Sequence, residues 1–266
     1  MSYTFNIPYR DNPKLQQVMD SVKQNRKLHT YWRCSNVMAI DRLGYTDHGP
    51  THVKIVSNLA LKLLRILIGR QVTPSIVKDY GMRNEDAEVV VVLGSIFHDL
   101  GMVVIRNHHE MYSGLLALEF LEACLKPAYT EEEAAILTSE VLHAIVSHER
   151  PYLPNNNPLT LEAGIVGIAD ALDMEAGRAR IPFSAGKVDI HAVSALSIEK
   201  VEILENESPD AKPITIKISM SNSAGVFQID ELLKPRIETS GLQKYFHVVA
   251  EITGEKEQKI VERFEI

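Results

Sequence analysis

The chain has 266 residues, enough for one large domain or two unequal ones at roughly 150 residues per domain. Hydrophobic residues make up 45% and charged residues 24%, the usage of a globular chain rather than a disordered one. A formal charge of −7 disfavours a general nucleic-acid or anionic-membrane binder, and two cysteines, Cys34 and Cys124, are too few for a disulfide framework or a multi-cysteine zinc site.

The elements read as follows in chain order. Residues 1–10 are polar, without the apolar core of a signal peptide. Asp11-Asn12-Pro13 starts a helix that carries Leu15, Val18, Met19 and Val22. A second helix is predicted over 30–43, stopped by Gly44. The turn Asp47-His48-Gly49-Pro50 opens a long third helix with Val53, Val56, Leu59, Leu63 and Leu67 on one side. Its apolar stretch 59–68 is interrupted by Lys62 and Arg65 and is too short to span a bilayer, so a soluble cytoplasmic protein is expected. Asn84 is a candidate cap for the next helix, whose acidic start and Leu100-Gly101 stop favour helix over strand for Val89 to Val92. His108 or His109 begins a helix reaching Lys126 before Pro127. Thr130 and Glu133 form a capping box for a helix reaching His148. After the proline- and asparagine-rich loop 151–158, a further helix is expected over 159–174.

Composition changes after Gly186. Ile214, Ile216, Ile218 and Met220 alternate with polar residues, as do Phe246, Val248, Ala250 and Ile252. A strand near Val201 and Ile203, a short helix over 230–238 and a last strand over 260–266 complete a ββαββ reading. The expectation is a helical domain over 1–185 and a small α+β domain over 186–266. Two hairpins alone would leave open edges, which favours packing on the helical domain or on a second copy, a homodimer.

Seven of the ten histidines fall between His48 and His148, and their helix faces matter more than their number. His52 shares a face with Val56, Leu59 and Leu63. His98 and Asp99 occupy the last turn of an apolar helix. His109 lies under Ser113, Leu116 and Phe120, with His108 as its rival. His148 continues the stripe Leu137, Val141, Ile145, and Asp170 follows Ala163 and Val166. Four histidines and two aspartates therefore project from five helices toward one interior. Burying ionised carboxylates costs several kcal/mol each unless they are paired or coordinated, so a cation is implied. His48 falls in a turn, where it caps or contacts substrate. His143 lies off the stripe, and His29, His191 and His247 read as ordinary.

His52, the doublet His98-Asp99 and Asp170, in that order on successive helices, resemble the signature of the HD superfamily of metal-dependent phosphohydrolases. His109, in His-Glu-Met-Tyr-Ser, and His148, in Ala-Ile-Val-Ser-His-Glu, sit where two-metal members carry two more histidines. The resemblance covers about residues 45 to 180. It implies a mainly α, HD-type helical bundle holding two divalent transition-metal ions (iron, manganese, zinc, cobalt or nickel). It places His52, His98, Asp99 and Asp170 on one ion and His109 and His148 on the other, with Asp99 bridging. A hydroxide between the ions would then attack a nucleotide or another small phosphorylated metabolite. Asp173, one turn beyond Asp170, reads either as a group that orients a ligand or carries a proton, or as a surface carboxylate. Arg106, Arg178 and Arg180 are candidate phosphate contacts. The segment His148-Glu149-Arg150-Pro151-Tyr152 departs from the cyclic dinucleotide phosphodiesterases, and Leu100-Gly101-Met102-Val103 departs from the alarmone hydrolases. The same ligands would serve a di-iron oxygenase, and a non-enzymatic nucleotide sensor is the third alternative.

Overall fold

Caps and stops set the helices. The computed structural model describes residues 5–149, 159–176, 194–208, 210–254 and 263–265. Asn12 opens α1 (Pro13–Gln24): its side-chain oxygen accepts from Leu15 N–H at 3.0 Å, and Pro13 brings the preset φ of a first helical residue. The Asn12 amide also donates to Glu85 O and to Glu88, each at 2.9 Å, pinning this cap to α5 (Asn84–Phe97). The helix expected over 30–43 begins earlier, as α2 (Arg26–Asn36), because Asn25 caps it by accepting from Leu28 N–H. It then widens into a π-helical turn, Val37–Arg42, a change of pitch that apolar spacing does not register.

The long α3 (Pro50–Gly69) follows. The short α4 (Ser75–Tyr80) was not anticipated. Its N-terminus is capped from a distance: the buried Glu162 carboxylate accepts from Ser75 N–H at 3.2 Å and Ile76 N–H at 3.1 Å. At α5 the cap position is Arg83 rather than Asn84, and Arg83 N–H donates to Asp86 at 2.9 Å. Next come α6 (His109–Leu125) and α7 (Glu131–Ser147), the latter opened by the reciprocal Thr130–Glu133 bonds. The helix expected over 159–174 is α8 (Leu161–Leu172), with Thr160 as its cap, so it is two residues shorter at each end.

The core is centred on α5, which packs against α3, α7 and α8. Val89 to Leu93 are fully buried, so this helix is apolar all round. That explains why its valine run resembles a strand.

The C-terminal part holds β1 (Ile198–Glu205), β2 (Ile214–Met220), β3 (Phe246–Ile252) and β4 (Arg263–Glu265) in the order β1-β2-β3-β4. The expected hairpins join into one sheet. Val201 pairs Ile218 antiparallel, Ile218 pairs Ala250 parallel, and Ala250 pairs Phe264 antiparallel. The parallel pair needs a long crossover. The crossover contains a helical turn (Val226–Gln228), a π turn (Ile229–Leu233) and α9 (Lys234–Thr239). Pro235 sits in the first turn of α9, where its missing N–H costs nothing.

This unit rests on the helical one. Lys62 Nζ donates to Ile203 O at 2.8 Å, and Val201 N–H donates to Glu175 at 2.9 Å. The crossover packs on α8, where Gly164 permits close approach: a Cβ there would come within 2.9 Å of Ser240 and Leu242. Among the described residues, no helix is long and apolar enough to cross a membrane.

Candidate metal centre

Five helix ends build the site. His52 lies in the first turn of α3, behind the tight turn in which Gly49 N–H donates to Asp47 at 2.7 Å. His98 is the C-cap of α5, and Asp99 follows it. His109 is the first residue of α6. His108 before it adopts φ +61° and is exposed, which settles the choice of which histidine faces inward. His148 is the C-cap of α7. Asp170 lies in the last turn of α8 and Asp173 is its C-cap. Three of these ends are C-termini, whose partial negative charge favours a cation.

The four imidazoles present one face each. His52 Nε2 lies 3.0 Å from His98 Nε2, 3.2 Å from Asp99 Oδ2 and 3.3 Å from Asp170 Oδ1. His98 Nε2 lies 3.2 Å from Asp99 Oδ2 and 3.6 Å from Asp170 Oδ1. On the other side of Asp99, Oδ1 lies 3.0 Å from His109 Nε2 and 3.9 Å from His148 Nε2. All four histidines are at most 1% exposed.

Each Nδ1 faces outward. That of His52 is 2.6 Å from Asp173 Oδ2, that of His98 donates to Ser95 O at 2.8 Å, and that of His148 donates to Ile145 O at 2.7 Å. His109 Nδ1 lies 3.0 Å from Arg106 O and 2.9 Å from Arg106 Nη1, contacts that need opposite tautomers because a guanidinium only donates. The carbonyl contact is the one that matches the other three rings. With the proton on Nδ1, every Nε2 offers a lone pair to the centre.

Four lone pairs and two carboxylates packed this closely need a positive charge between them. Asp99 Oδ2 and His109 Nε2 are buried with no hydrogen-bond partner among the described residues. Atoms bound ~2.0–2.1 Å from a common ion stand ~2.9–3.4 Å apart, close to most of the spacings observed. The donor set fits a divalent cation, and imidazole with carboxylate suits the transition metals.

The electrostatics show the same need for a positive charge, which a proton on His98 would meet in the absence of a cation. Burial opposes a proton on His98, but the adjacent Asp99 and Asp170 outweigh it and push its pKa up to about 9. His148 is pushed down to about 3 by burial and by His98 and His109. Burial works against both carboxylates, yet the surrounding imidazoles hold Asp99 and Asp170 well below the usual range.

Arg106 was expected to reach phosphate. It makes a two-pronged pair with Glu149, at 2.6 and 3.1 Å, beside His109. Arg178, Arg180 and the loop 150–158 lie outside the described residues. Two further side chains lie beside the centre. The side chain of His48 has its Nδ1 2.7 Å from Thr46 O and its ring 5.8 Å from that of His52. Arg236, from α9, lies 3.3 Å from Asp170 Oδ2.

Histidines and aspartates at converging helix ends make a candidate metal-binding site in a helical bundle, and the HD domain profile matches residues 51–175. The chain carries an HD domain, a family whose members are generally metal-dependent hydrolases. It is also 46% identical over 254 residues to an uncharacterized protein of Methanocaldococcus jannaschii, covering 96% of this chain and 94% of that protein. That likeness extends into the C-terminal unit, beyond the HD domain match.

Proposed function

We propose that this chain is a metal-dependent phosphohydrolase that holds two divalent transition-metal ions and acts on a nucleotide or another small phosphorylated metabolite. The observation that carries the two-ion reading is the division of Asp99: Oδ2 faces His52 and His98, and Oδ1 faces His109 and His148. His52, His98, Asp170 and one Asp99 oxygen would hold one ion. His109, His148 and the other Asp99 oxygen would hold the second. Bound ions of this kind lower the pKa of coordinated water from 15.7 toward roughly 7 and neutralise charge on phosphate oxygens.

The chain's own part is orientation. Asp173 fixes the tautomer of His52, and backbone carbonyls fix the other three rings. The Arg106–Glu149 pair braces His109 from the side away from Asp99. Arg178 and Arg180 are retained as proposed phosphate contacts, Asp173 as a proposed proton carrier, and the division into units 1–185 and 186–266 as a proposal of the same standing. A homodimer is supported by the exposed apolar stripe Met111, Leu115 and Leu118 on α6, and a one-chain mass by light scattering would remove it.

The test is phosphate release by the full chain, loaded in turn with manganese, iron, cobalt, nickel or zinc, from a panel of nucleotides and sugar phosphates. Release that is abolished by chelator and by His98→Ala is the expected result. No release with any metal, together with oxygen consumption by the iron form, would replace the hydrolase reading with the oxygenase one.

A further inference from the structure

We propose that the C-terminal unit is a working part of the metal centre, and that Arg236 is the positioning residue through which it acts. This rests on the metal-centre reading above and adds a residue from outside the HD domain match at 51–175.

The geometry of one guanidinium makes the case. Arg236 Nη2 lies 3.3 Å from Asp170 Oδ2, Nε donates to His148 O at 3.2 Å, and Nη1 donates to Leu232 O at 3.1 Å. One planar fork therefore ties the C-terminal turn of α8 to the C-cap of α7 and both to the crossover that carries it. The two acceptors beyond its own segment belong to proposed metal ligands. The His148 carbonyl is one of the last of its helix, a group with no intrahelical donor, and Arg236 supplies one.

Arg236 also sorts the two oxygens of Asp170. Oδ1 faces His52 and His98, while Oδ2 faces the guanidinium. A carboxylate held in this way presents a single oxygen to the centre and cannot rotate to present the other. The side chain is 10% exposed, so the interaction is shielded from solvent. The placement is enforced on α8 itself. Gly164 admits Ser240 and Leu242 against one turn of that helix, and Gly167, whose Cβ would lie 3.0 Å from His148 O, admits the end of α7 against another.

A cation beside Asp170 weakens the attraction of that carboxylate for a metal, whereas fixing its orientation strengthens binding. The orientation effect is the larger, because both a ligand carboxylate and a ligand backbone lose their tether together. Removing a group that orients a metal ligand typically lowers metal affinity 10–100-fold.

The experiment uses the full metal-free chain, cobalt(II) as probe, and two readouts: the dissociation constant and the visible absorption spectrum of the bound ion. Arg236→Met is expected to bind cobalt about 10- to 100-fold more weakly with an altered spectrum. Arg236→Lys keeps the charge but cannot reach Asp170 and His148 together, so it should fall between. Lys234→Ala, on the exposed side of α9, should match wild type. Wild-type affinity and spectrum in Arg236→Met would overturn the inference while leaving the metal centre standing. If that variant does not fold, wild-type behaviour in Arg236→Lys overturns it equally. A wild-type chain that binds no cobalt would overturn the metal-centre reading and this inference with it.

Discussion

Replacing Asp173 by alanine removes the acceptor that holds His52 in one tautomer. The Asp173 Oδ2 to His52 Nδ1 distance is 2.6 Å, and both side chains are buried. A hydrogen bond to a charged group contributes ~1.5–3 kcal/mol. Without it, the ring can place its proton on Nε2, pointing an N–H at the carboxylates and at His98. About 1.4 kcal/mol is tenfold in an equilibrium constant, so metal affinity should fall by about 10- to 150-fold. Asp173→Asn keeps an acceptor oxygen and loses the charge, so it should lose roughly tenfold. The assay is competition against a chromophoric chelator, on variants whose metal-free unfolding midpoints have been measured. An alanine variant that folds normally and binds within about twofold of wild type would refute the orienting role.

Three further outcomes follow from other parts of the chain. A Cβ at residue 101 would overlap the His109 carbonyl and lie 2.6 Å from Ser113 N, so Gly101→Ala should destabilise by about 1–3 kcal/mol and weaken metal binding with it; an unchanged melting temperature would contradict this. Glu140 is buried with an unpartnered oxygen, and burial together with Glu162 raises its pKa above the usual carboxylate value. Its ionised form is thus a cost that is present above its folded-state pKa and vanishes as pH falls below about 4.3, the unfolded value. Glu140→Gln should raise the melting temperature by about 2 °C at pH 7.5, with the gain fading toward pH 4, and an equal gain at both pH values would argue against the assignment. Cys34 is exposed, whereas burial pushes the Cys124 thiol up to about 12, so a thiol reagent should label one site in the native protein and two in denaturant; two native sites would contradict that burial.

The side chains that meet at the centre were legible in the sequence because each falls where an apolar stripe runs out at a helix end. His52, His98, His109, His148 and Asp170 each continue or terminate such a stripe. Local pattern could narrow His108 and His109 but not separate them, since the difference is one residue of left-handed backbone at His108. Asp173 stayed open for a related reason: its partner His52 lies 121 residues away. Arg236 was invisible, being 66 residues from Asp170 in a segment with no repeating signal of its own. The same limit hid α4, whose cap comes from Glu162. Alternation revealed the strands near 201, 216 and 248. It could not reveal that the two pairs share one sheet, because parallel pairing depends on where the crossover returns the chain.

The most direct test of the central claim is the metal content of the full chain, reconstituted with one metal and measured by mass spectrometry, beside His109→Ala and Asp99→Ala. The divided Asp99 carboxylate predicts close to two ions per chain in wild type, close to one in His109→Ala and near none in Asp99→Ala. Saturation of wild type at one ion, unchanged by His109→Ala, would contradict it.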